Sequence, residues 1–196
     1  KYCQSLGIIA GKPNTIFAPN ATVTAQEAAK MLLVTLGYDA NKAGLVGANW
    51  ASKTNALADE NGLLEDVNTS FTGACPRQYA AQLIYNAIDT PTVVWRDDAY
   101  TNTNYNDDDN KTIGEKYMDL YKTTAAVLTS VKKTDGKDTY KIELASGVNY
   151  AKVTGKEEFT KVPTDVSDLL GLKVKVLVKV KNNGDEDVYG VYADDD

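Results

Sequence analysis

The sequence predicts an α+β protein in which an all-helical N-terminal half precedes a small β domain. Apolar residues recur with helical spacing up to Asp89 and alternate with polar residues after Thr123. A polar segment rich in Asn, Asp and Thr separates the two patterns. The chain has 196 residues, enough for one large or two small domains. We therefore expect helical repeats over residues 1–90, a linker with a short strand over 91–110 and a β domain over 111–196.

The first complete helix carries start and stop signals at its two ends. Thr24 stands at the N-cap and Glu27 at the third helical position, a capping box in which each side chain accepts a hydrogen bond from a free backbone N–H. Gly37 follows the last apolar residue, where a left-handed C-terminal cap is expected. The apolar stripe between these signals consists of Ala28, Ala29, Met31, Leu32, Leu33 and Leu36.

Two more helices are predicted before residue 90. One runs from about Trp50 to Asn61 and stops at Gly62. The other covers about Pro76 to Ile88, and proline is tolerated in a first helical turn because its missing N–H would be unpaired there in any case. The chain also begins inside what reads as a helix, so we expect it to be a fragment of a longer protein.

The segment from Thr90 to Asn110 marks the boundary between the halves. We interpret Val93–Trp95 as a short strand packed on one of the domains and the remainder as an exposed linker. The letters NDDDN at 106–110 suggest calcium binding, but they lack the register and the distant glutamate of an EF-hand loop. A solvated acidic loop is the favoured interpretation.

Strand signals dominate after Thr123. Three predicted strands, TAAVLTSVKK, TYKIELA and VNYAKVT, are followed by a helical turn at TDVSDLL and by two more strands, LKVKVLVKVK and DVYGVYA. Asp135-Gly136 and Asn183-Gly184 are hairpin turn signals. Five short strands with a helix between the third and the fourth are the element order of an OB-type barrel. We therefore predict a five-stranded OB-like β-barrel.

Two surface features of the chain leave alternatives open. The lysines of the strand Lys173–Lys181 form one face, which either binds an acidic polymer or, as we favour, is a solvated face that discourages edge pairing. The 12 tyrosines, several of them in the linker and the last strand, either form a carbohydrate platform or are ordinary half-buried residues, and we favour the second account.

The composition narrows the classes of function. A net charge of −6 and a pI of about 4.8 argue against nucleic-acid binding. The sequence has no histidine, which removes Ser-His-Asp and Cys-His catalysis and most transition-metal sites. Paired carboxylates remain an open chemistry, although no spacing singles out a pair. We therefore expect no enzymatic activity, no cofactor and no metal site.

Cysteine content and hydropathy add two further expectations. Cys3 and Cys75 are too few for a disulfide framework or a tetrahedral zinc site, and the sequence leaves their pairing open. No apolar run reaches the length of a membrane helix, so we expect no membrane insertion.

The helical half repeats itself at offsets of about 52–55 residues. Each unit consists of a helix, a Gly-Ile or Gly-Leu loop, a phenylalanine and a second helix. The corresponding pairs are Gly7-Ile8-Ile9 with Gly62-Leu63-Leu64, Phe17 with Phe71, Thr24–Ala28 with Pro76–Ala80, and Met31-Leu32 with Leu83-Ile84. A single unit cannot bury both of its helices, so neighbouring units are expected to share a core.

This pattern resembles the S-layer homology family of bacterial surface proteins. The stretches LGIIAG, FAPNATVTAQEAAKML and LGY match one unit whose first helix is truncated. The stretches NWASKTNALADENGLL, SF and CPRQYAAQLIYNAI match a second, complete unit more loosely. The resemblance covers about the first 90 residues. The β half looks like the small barrel domains that follow such repeats, which is the weaker part of the resemblance.

The resemblance implies non-covalent docking onto a secondary polysaccharide of a Gram-positive cell wall. The arginine of the family's Thr-Arg-x-Glu motif contacts the ligand at a helix N-terminus, which itself favours an anion such as a pyruvylated sugar. Arg77 occupies that position in the second unit, although Pro76 and Tyr79 depart from the motif. The first unit has Ala25 instead of arginine. Trp50 matches the family's tryptophan, which either stacks on a sugar or, as we favour, packs between helices.

The leading hypothesis is a non-catalytic fragment of a secreted, extracellular Gram-positive surface protein that anchors to the wall polysaccharide or takes part in surface-layer assembly. Its expected partners are that polysaccharide and other surface-layer subunits. One alternative is a purely structural spacer made of degenerate repeats. Another is an oligosaccharide-binding OB-type module. An enzyme is the least favoured reading.

Overall fold

The computed structural model describes residues 2–9, 18–102 and 112–194. The chain has an α+β fold and divides into two compact units, Lys1–Ile113 and Gly114–Asp196. The first unit contains helices α1 (Tyr2–Ser5), α2 (Ala25–Leu36), α3 (Trp50–Glu60) and α4 (Arg77–Ala87), followed by strands β1 (Val93–Arg96) and β2 (Ala99–Asn102). A short helix, α5 (Ile113–Met118), begins at the last residue of this unit.

Helix α2 is the central element of the first unit because it packs against both α3 and α4. Its apolar stripe meets small and aliphatic side chains of the two neighbours, so the helices share one core, as the repeat predicts. The most deeply buried members of this core are Ala29, Leu33, Leu36, Leu45, Ala58, Leu63, Leu83 and Ala87.

The predicted capping box of α2 is confirmed. The Thr24 hydroxyl accepts a hydrogen bond from the Glu27 N–H at 3.2 Å, and the Glu27 carboxylate accepts one from the Thr24 N–H at 2.9 Å. At the other end Gly37 adopts a left-handed φ of 118°, and the N–H of Tyr38 donates to the carbonyl of Leu33. Side chains and a glycine therefore satisfy groups that the helix itself leaves unpaired.

Helices α1 and α3 end in the same way, which supports the repeat in three dimensions. The N–H of Ile8 donates to the carbonyl of Cys3, and the N–H of Leu63 donates to the carbonyl of Ala58. The glycine before each donor is left-handed, with φ of 72° and 69°. The pair Phe17 and Phe71 cannot be compared, because Phe17 lies outside the described residues.

The predicted short strand at Val93–Trp95 is confirmed as β1, but the residues after it form a second strand, β2, where an exposed linker was expected. Strands β1 and β2 form an antiparallel hairpin in which Trp95 pairs with Tyr100. Asp97 and Asp98 both have positive φ, 50° and 61°, as the two central residues of a type I′ turn require. This turn was not predicted because its two central residues are Asp-Asp and not the typical Asn-Gly. The remainder of the expected linker, 103–110, lies outside the described residues.

The second unit is a six-stranded antiparallel sheet. Its strands are β3 (Leu120–Lys122), β4 (Ala126–Lys133), β5 (Tyr140–Tyr150), β6 (Val153–Val162), β7 (Lys173–Val180) and β8 (Glu186–Ala193), with a 3₁₀ turn at Ser167–Leu169. One continuous apolar core underlies them, and its largest fully buried side chains include Leu128, Ile142, Val148, Phe159, Val162, Val174 and Val176.

The predicted five-stranded barrel is wrong in two respects. The sheet has an additional strand, β3, and none of the strand pairings between described residues closes it into a barrel. Strand β4 pairs with β7 only at Lys173 and Val174, at the N-terminal end of β7. The C-terminal part of the same edge of β7 is therefore free to pair with β3. The predicted strand at 148–154 is split, because Ala151 has a left-handed φ of 48° and turns the chain from β5 into β6.

Side chains connect the two ends of the open sheet. Glu186, at the start of β8, accepts hydrogen bonds from the Tyr150 hydroxyl and from the Lys156 ammonium of β6. The Lys156 Nζ also lies 4.9 Å from the centroid of the Phe159 ring. Burial raises the pKa of Tyr150, and the neighbouring Glu186 carboxylate raises it further. This group therefore holds β6 near β8 where no backbone ladder joins them.

Thr123 fills the gap between β3 and β4 on the edge of β7. Its side chain is 2% exposed, and its hydroxyl accepts a hydrogen bond from the Val176 N–H at 2.9 Å. Its own N–H donates to the Val176 carbonyl at 3.0 Å. A threonine side chain thus replaces a backbone acceptor at this point of the ladder.

We predict that Thr123→Val lowers the free energy of unfolding by about 1–3 kcal/mol, because a buried N–H loses its acceptor while the side-chain volume is kept. Thr123→Ser retains the hydroxyl and is the matched control. Urea denaturation of both variants measures the difference. Equal stabilities for the valine and serine variants would show that this hydrogen bond does not stabilise the sheet.

Candidate functional site

The starts of α2 and α4 lie side by side. Thr24 and Ala74 form an antiparallel β-bridge, and the N–H of Cys75 donates to the carbonyl of Val23 at 2.8 Å. The N–H of Gln26 donates to the carbonyl of Phe71 at 3.2 Å. The repeat correspondence therefore becomes a physical contact between the two segments that lead into the helices.

Arg77 is the first residue of α4 and is exposed. It makes no ion pair with another residue that the structure describes, so its guanidinium is available to an external anion. Pro76 stands at the N-cap in an extended conformation and provides no side-chain acceptor for the first-turn N–H groups. The start of α4 thus combines an exposed cation with N–H groups that lack a side-chain cap and with the positive end of the helix dipole.

Ala25 occupies the corresponding position in the first unit, and its environment is different. Its side chain is 0% exposed, and the following Gln26 is also buried. A larger side chain at this position would require the neighbouring residues to move. The absence of a cation here therefore agrees with the packing of the two units.

Trp50 is the first residue of α3 and is half-buried. The Nζ atom of Lys30 in α2 lies 5.5 Å from the centroid of its ring, within the range of a cation–π interaction. Burial lowers the pKa of Lys30, and the nearby Glu27 carboxylate opposes that shift. The contact is between two helices, as expected for a tryptophan that packs at a helix junction.

Sequence reasoning missed Lys30, since no spacing links a residue in the second turn of α2 to the start of α3. Nor does any contact in the described part of the chain join Arg77 to Trp50. The two predicted site residues therefore belong to different neighbourhoods, Arg77 beside the paired helix starts and Trp50 beneath Lys30.

The lysine face of β7 is partly neutralised by acidic neighbours. Lys175 forms an ion pair with Asp194 at 2.6 Å, and Lys181 forms one with Asp187 at 2.7 Å. Val174, Val176 and Val178 are buried on the opposite face, as the alternation predicts. The arrangement favours a solvated, ion-paired face over a binding surface for an acidic polymer.

The described residues show no thiol pair, metal site or membrane-spanning helix. Cys3 and Cys75 are free thiols, and burial raises the pKa of Cys75. Residues 2–9, 18–102 and 112–194 contain no group of Cys, Asp and Glu side chains arranged to hold a metal ion. Over the same ranges, none of the helices has the length and apolar character needed to cross a membrane.

Comparison with known protein families adds one finding. Residues 1–29 match the S-layer homology domain. The match ends inside α2 at Ala29, so it covers the truncated unit and not the second one. Searches of curated proteins and of solved structures returned no match. S-layer homology domains bind cell-wall polysaccharides, and the match therefore indicates anchoring at the cell surface or cell wall.

We predict that Thr24→Ala lowers the free energy of unfolding by about 0.5–2 kcal/mol, since the Glu27 N–H loses its side-chain acceptor. Thr24→Ser preserves the hydroxyl and should be close to the parent protein. Chemical denaturation checks both variants. A value for Thr24→Ala within the measurement error would mean that the capping box does not stabilise α2.

Proposed function

We propose that this chain anchors a secreted surface protein to an acidic secondary polysaccharide of a Gram-positive cell wall. The observation that carries the proposal is the exposed Arg77, which forms no ion pair with another described residue and begins a helix without a side-chain cap, in a chain whose first 29 residues match a wall-anchoring family. Arg77 is the residue that binds the polymer, and the proposed function requires no covalent change to the polymer.

A guanidinium is suited to an acidic sugar. It forms two parallel hydrogen bonds with one carboxylate, a geometry that the point charge of a lysine does not reproduce. The free N–H groups of the first turn and the helix dipole add positive potential in the same direction. Without an anion, a cation at this end of a helix is slightly unfavourable, so the position gains from a bound ligand.

Trp50 has a supporting role in this proposal. Its contact with Lys30 stabilises the junction between α2 and α3, and its solvent-facing edge is available to a sugar ring. The β unit, a six-stranded antiparallel sheet, has no catalytic task in this proposal. Neighbouring surface-layer subunits are a second class of partner, and nucleic acid is disfavoured by the net charge of −6.

A rigid spacer is the runner-up function, and the burial of Ala25 is the observation that favours it. The start of α2 has a buried alanine where the start of α4 has the exposed Arg77, so only one of the two helix starts has the cation that the proposal uses. Paired repeats that share a core would still hold domains apart without binding any glycan.

We predict that Arg77→Ala abolishes pull-down of the chain by purified acidic wall polysaccharide, because the bidentate cation is lost. Arg77→Lys should bind more weakly and with a stronger dependence on salt, since only a point charge remains. Folding should be nearly unaffected, because the side chain is exposed. Pull-down at several salt concentrations, with circular dichroism of each variant, measures both properties.

Arg96→Ala is the control for net charge, since it removes the same charge from the same unit. Binding that persists unchanged in Arg77→Ala would contradict the proposed contact. Unfolding of Arg77→Ala would assign the residue a structural role instead. A parent chain that does not bind the polysaccharide at all would leave the spacer as the better account.

A further inference from the structure

The first unit contains a cavity of about 440 Å³ between the end of α3 and the hairpin β1–β2. This volume is in the range of sites for small organic ligands. The site is separate from Arg77 and Trp50, neither of which lines it. Its walls are formed by Tyr38, Glu60, Asn61, Thr90, Pro91, Val93, Tyr100, Thr101 and Asn102.

Aromatic rings form one side of the cavity and continue past it. The rings of Tyr38 and Tyr100 have centroids 4.5 Å apart at an angle of 58°. Trp95, which pairs with Tyr100 across the hairpin, lies edge-on to it at 4.8 Å. The sequence places these residues far apart, and the hairpin brings them together. The result is a short aromatic surface that leads from the cavity toward solvent.

Hydrogen bonds fix the positions of the two tyrosine rings, and neither Glu60 nor Asn102 takes part in them. Asn61 donates from its amide to the Tyr38 hydroxyl at 3.1 Å and to the Leu57 carbonyl at 2.8 Å. The Tyr100 hydroxyl accepts a hydrogen bond from the Asp39 N–H at 3.0 Å. A site whose side chains are already fixed loses little entropy when a ligand binds.

Gly37 determines how closely the hairpin approaches this region. A Cβ atom at Gly37 would collide with the carbonyl oxygen of Val93 in β1. The glycine that ends α2 therefore also admits the hairpin backbone, and Tyr38 follows it directly into the cavity wall. The cavity is thus built into the packing of the first unit.

Two polar side chains of the cavity lining have no partner among the described residues. The exposed side chains of Glu60 and Asn102 form no hydrogen bond or ion pair with another described residue. The cavity therefore offers a carboxylate and a carboxamide in addition to its aromatic side chains.

We propose that this cavity binds an uncharged sugar unit of an oligosaccharide. The C–H face of a pyranose ring packs on the partly exposed Tyr100 ring, while its hydroxyl groups donate to the Glu60 carboxylate and exchange hydrogen bonds with the Asn102 carboxamide. The Glu60 carboxylate repels an acidic sugar, so the selectivity of this cavity is opposite to that of the Arg77 site. The proposal rests on the cavity alone and stands without the wall-anchoring function.

Titration calorimetry of the full chain with chitotriose, cellotriose and trigalacturonic acid tests the proposal. We expect the parent chain to bind at least one of the two uncharged trimers and not the acidic one. Asn102→Ala should weaken binding of the uncharged trimer about threefold to tenfold, as expected for one lost hydrogen bond. Glu60→Gln should admit trigalacturonic acid, whereas the control Glu65→Gln should not.

Three results would overturn the proposal. They are no binding of either uncharged trimer by the parent chain, unchanged affinity in an Asn102→Ala variant whose circular dichroism spectrum is native, and binding of trigalacturonic acid as tight as that of the uncharged trimers. Arg77→Ala should leave the titrations with uncharged trimers unchanged, so failure here is distinguishable from failure of the wall-anchoring proposal.

Discussion

The first unit depends on the backbone pairing between the segments that lead into α2 and α4. Hydrogen bonds from Cys75 to Val23 and from Gln26 to Phe71 fix the two helix starts beside each other. A helix–loop–helix unit of this size cannot enclose its own apolar stripe, so each repeat completes the core of the other. The same pairing covers Ala25 and leaves Arg77 at the surface. Core formation and the placement of the candidate cation are therefore consequences of one contact.

The end of α2 imposes a second constraint, on the hairpin. Gly37 is required there twice, once as the left-handed cap and once because no Cβ fits against the Val93 carbonyl. A residue that looks like a helix terminator in the sequence therefore also sets the distance between the helices and β1. The Asp97-Asp98 turn then directs Tyr100 back onto Tyr38. Two local backbone conformations thus create a cavity wall from residues that are distant in sequence.

The elements that could be predicted from the sequence are those whose signals are local. The ends of α2 could be predicted from Thr24, Glu27 and Gly37, because capping residues lie within one turn of the helix end. Strand β3 and the Lys30–Trp50 contact carry no such signal. Leu120–Lys122 forms a strand only because β4 leaves half of β7 unpaired, and Lys30 meets Trp50 only because α2 packs on α3. Features of this kind depend on partners that the sequence does not identify.

The contrast between Ala25 and Arg77 explains why sequence motifs alone overstate the symmetry of the repeat. Both residues follow an N-cap in extended conformation, and both begin a helix. Their difference in burial arises from position along the chain. The start of α2 is covered by the segment that leads into α4, whereas the start of α4 is open. An exposed position at a helix start suits a charged ligand-binding residue better than a buried one does. The alanine in the first unit therefore agrees with the burial of that position.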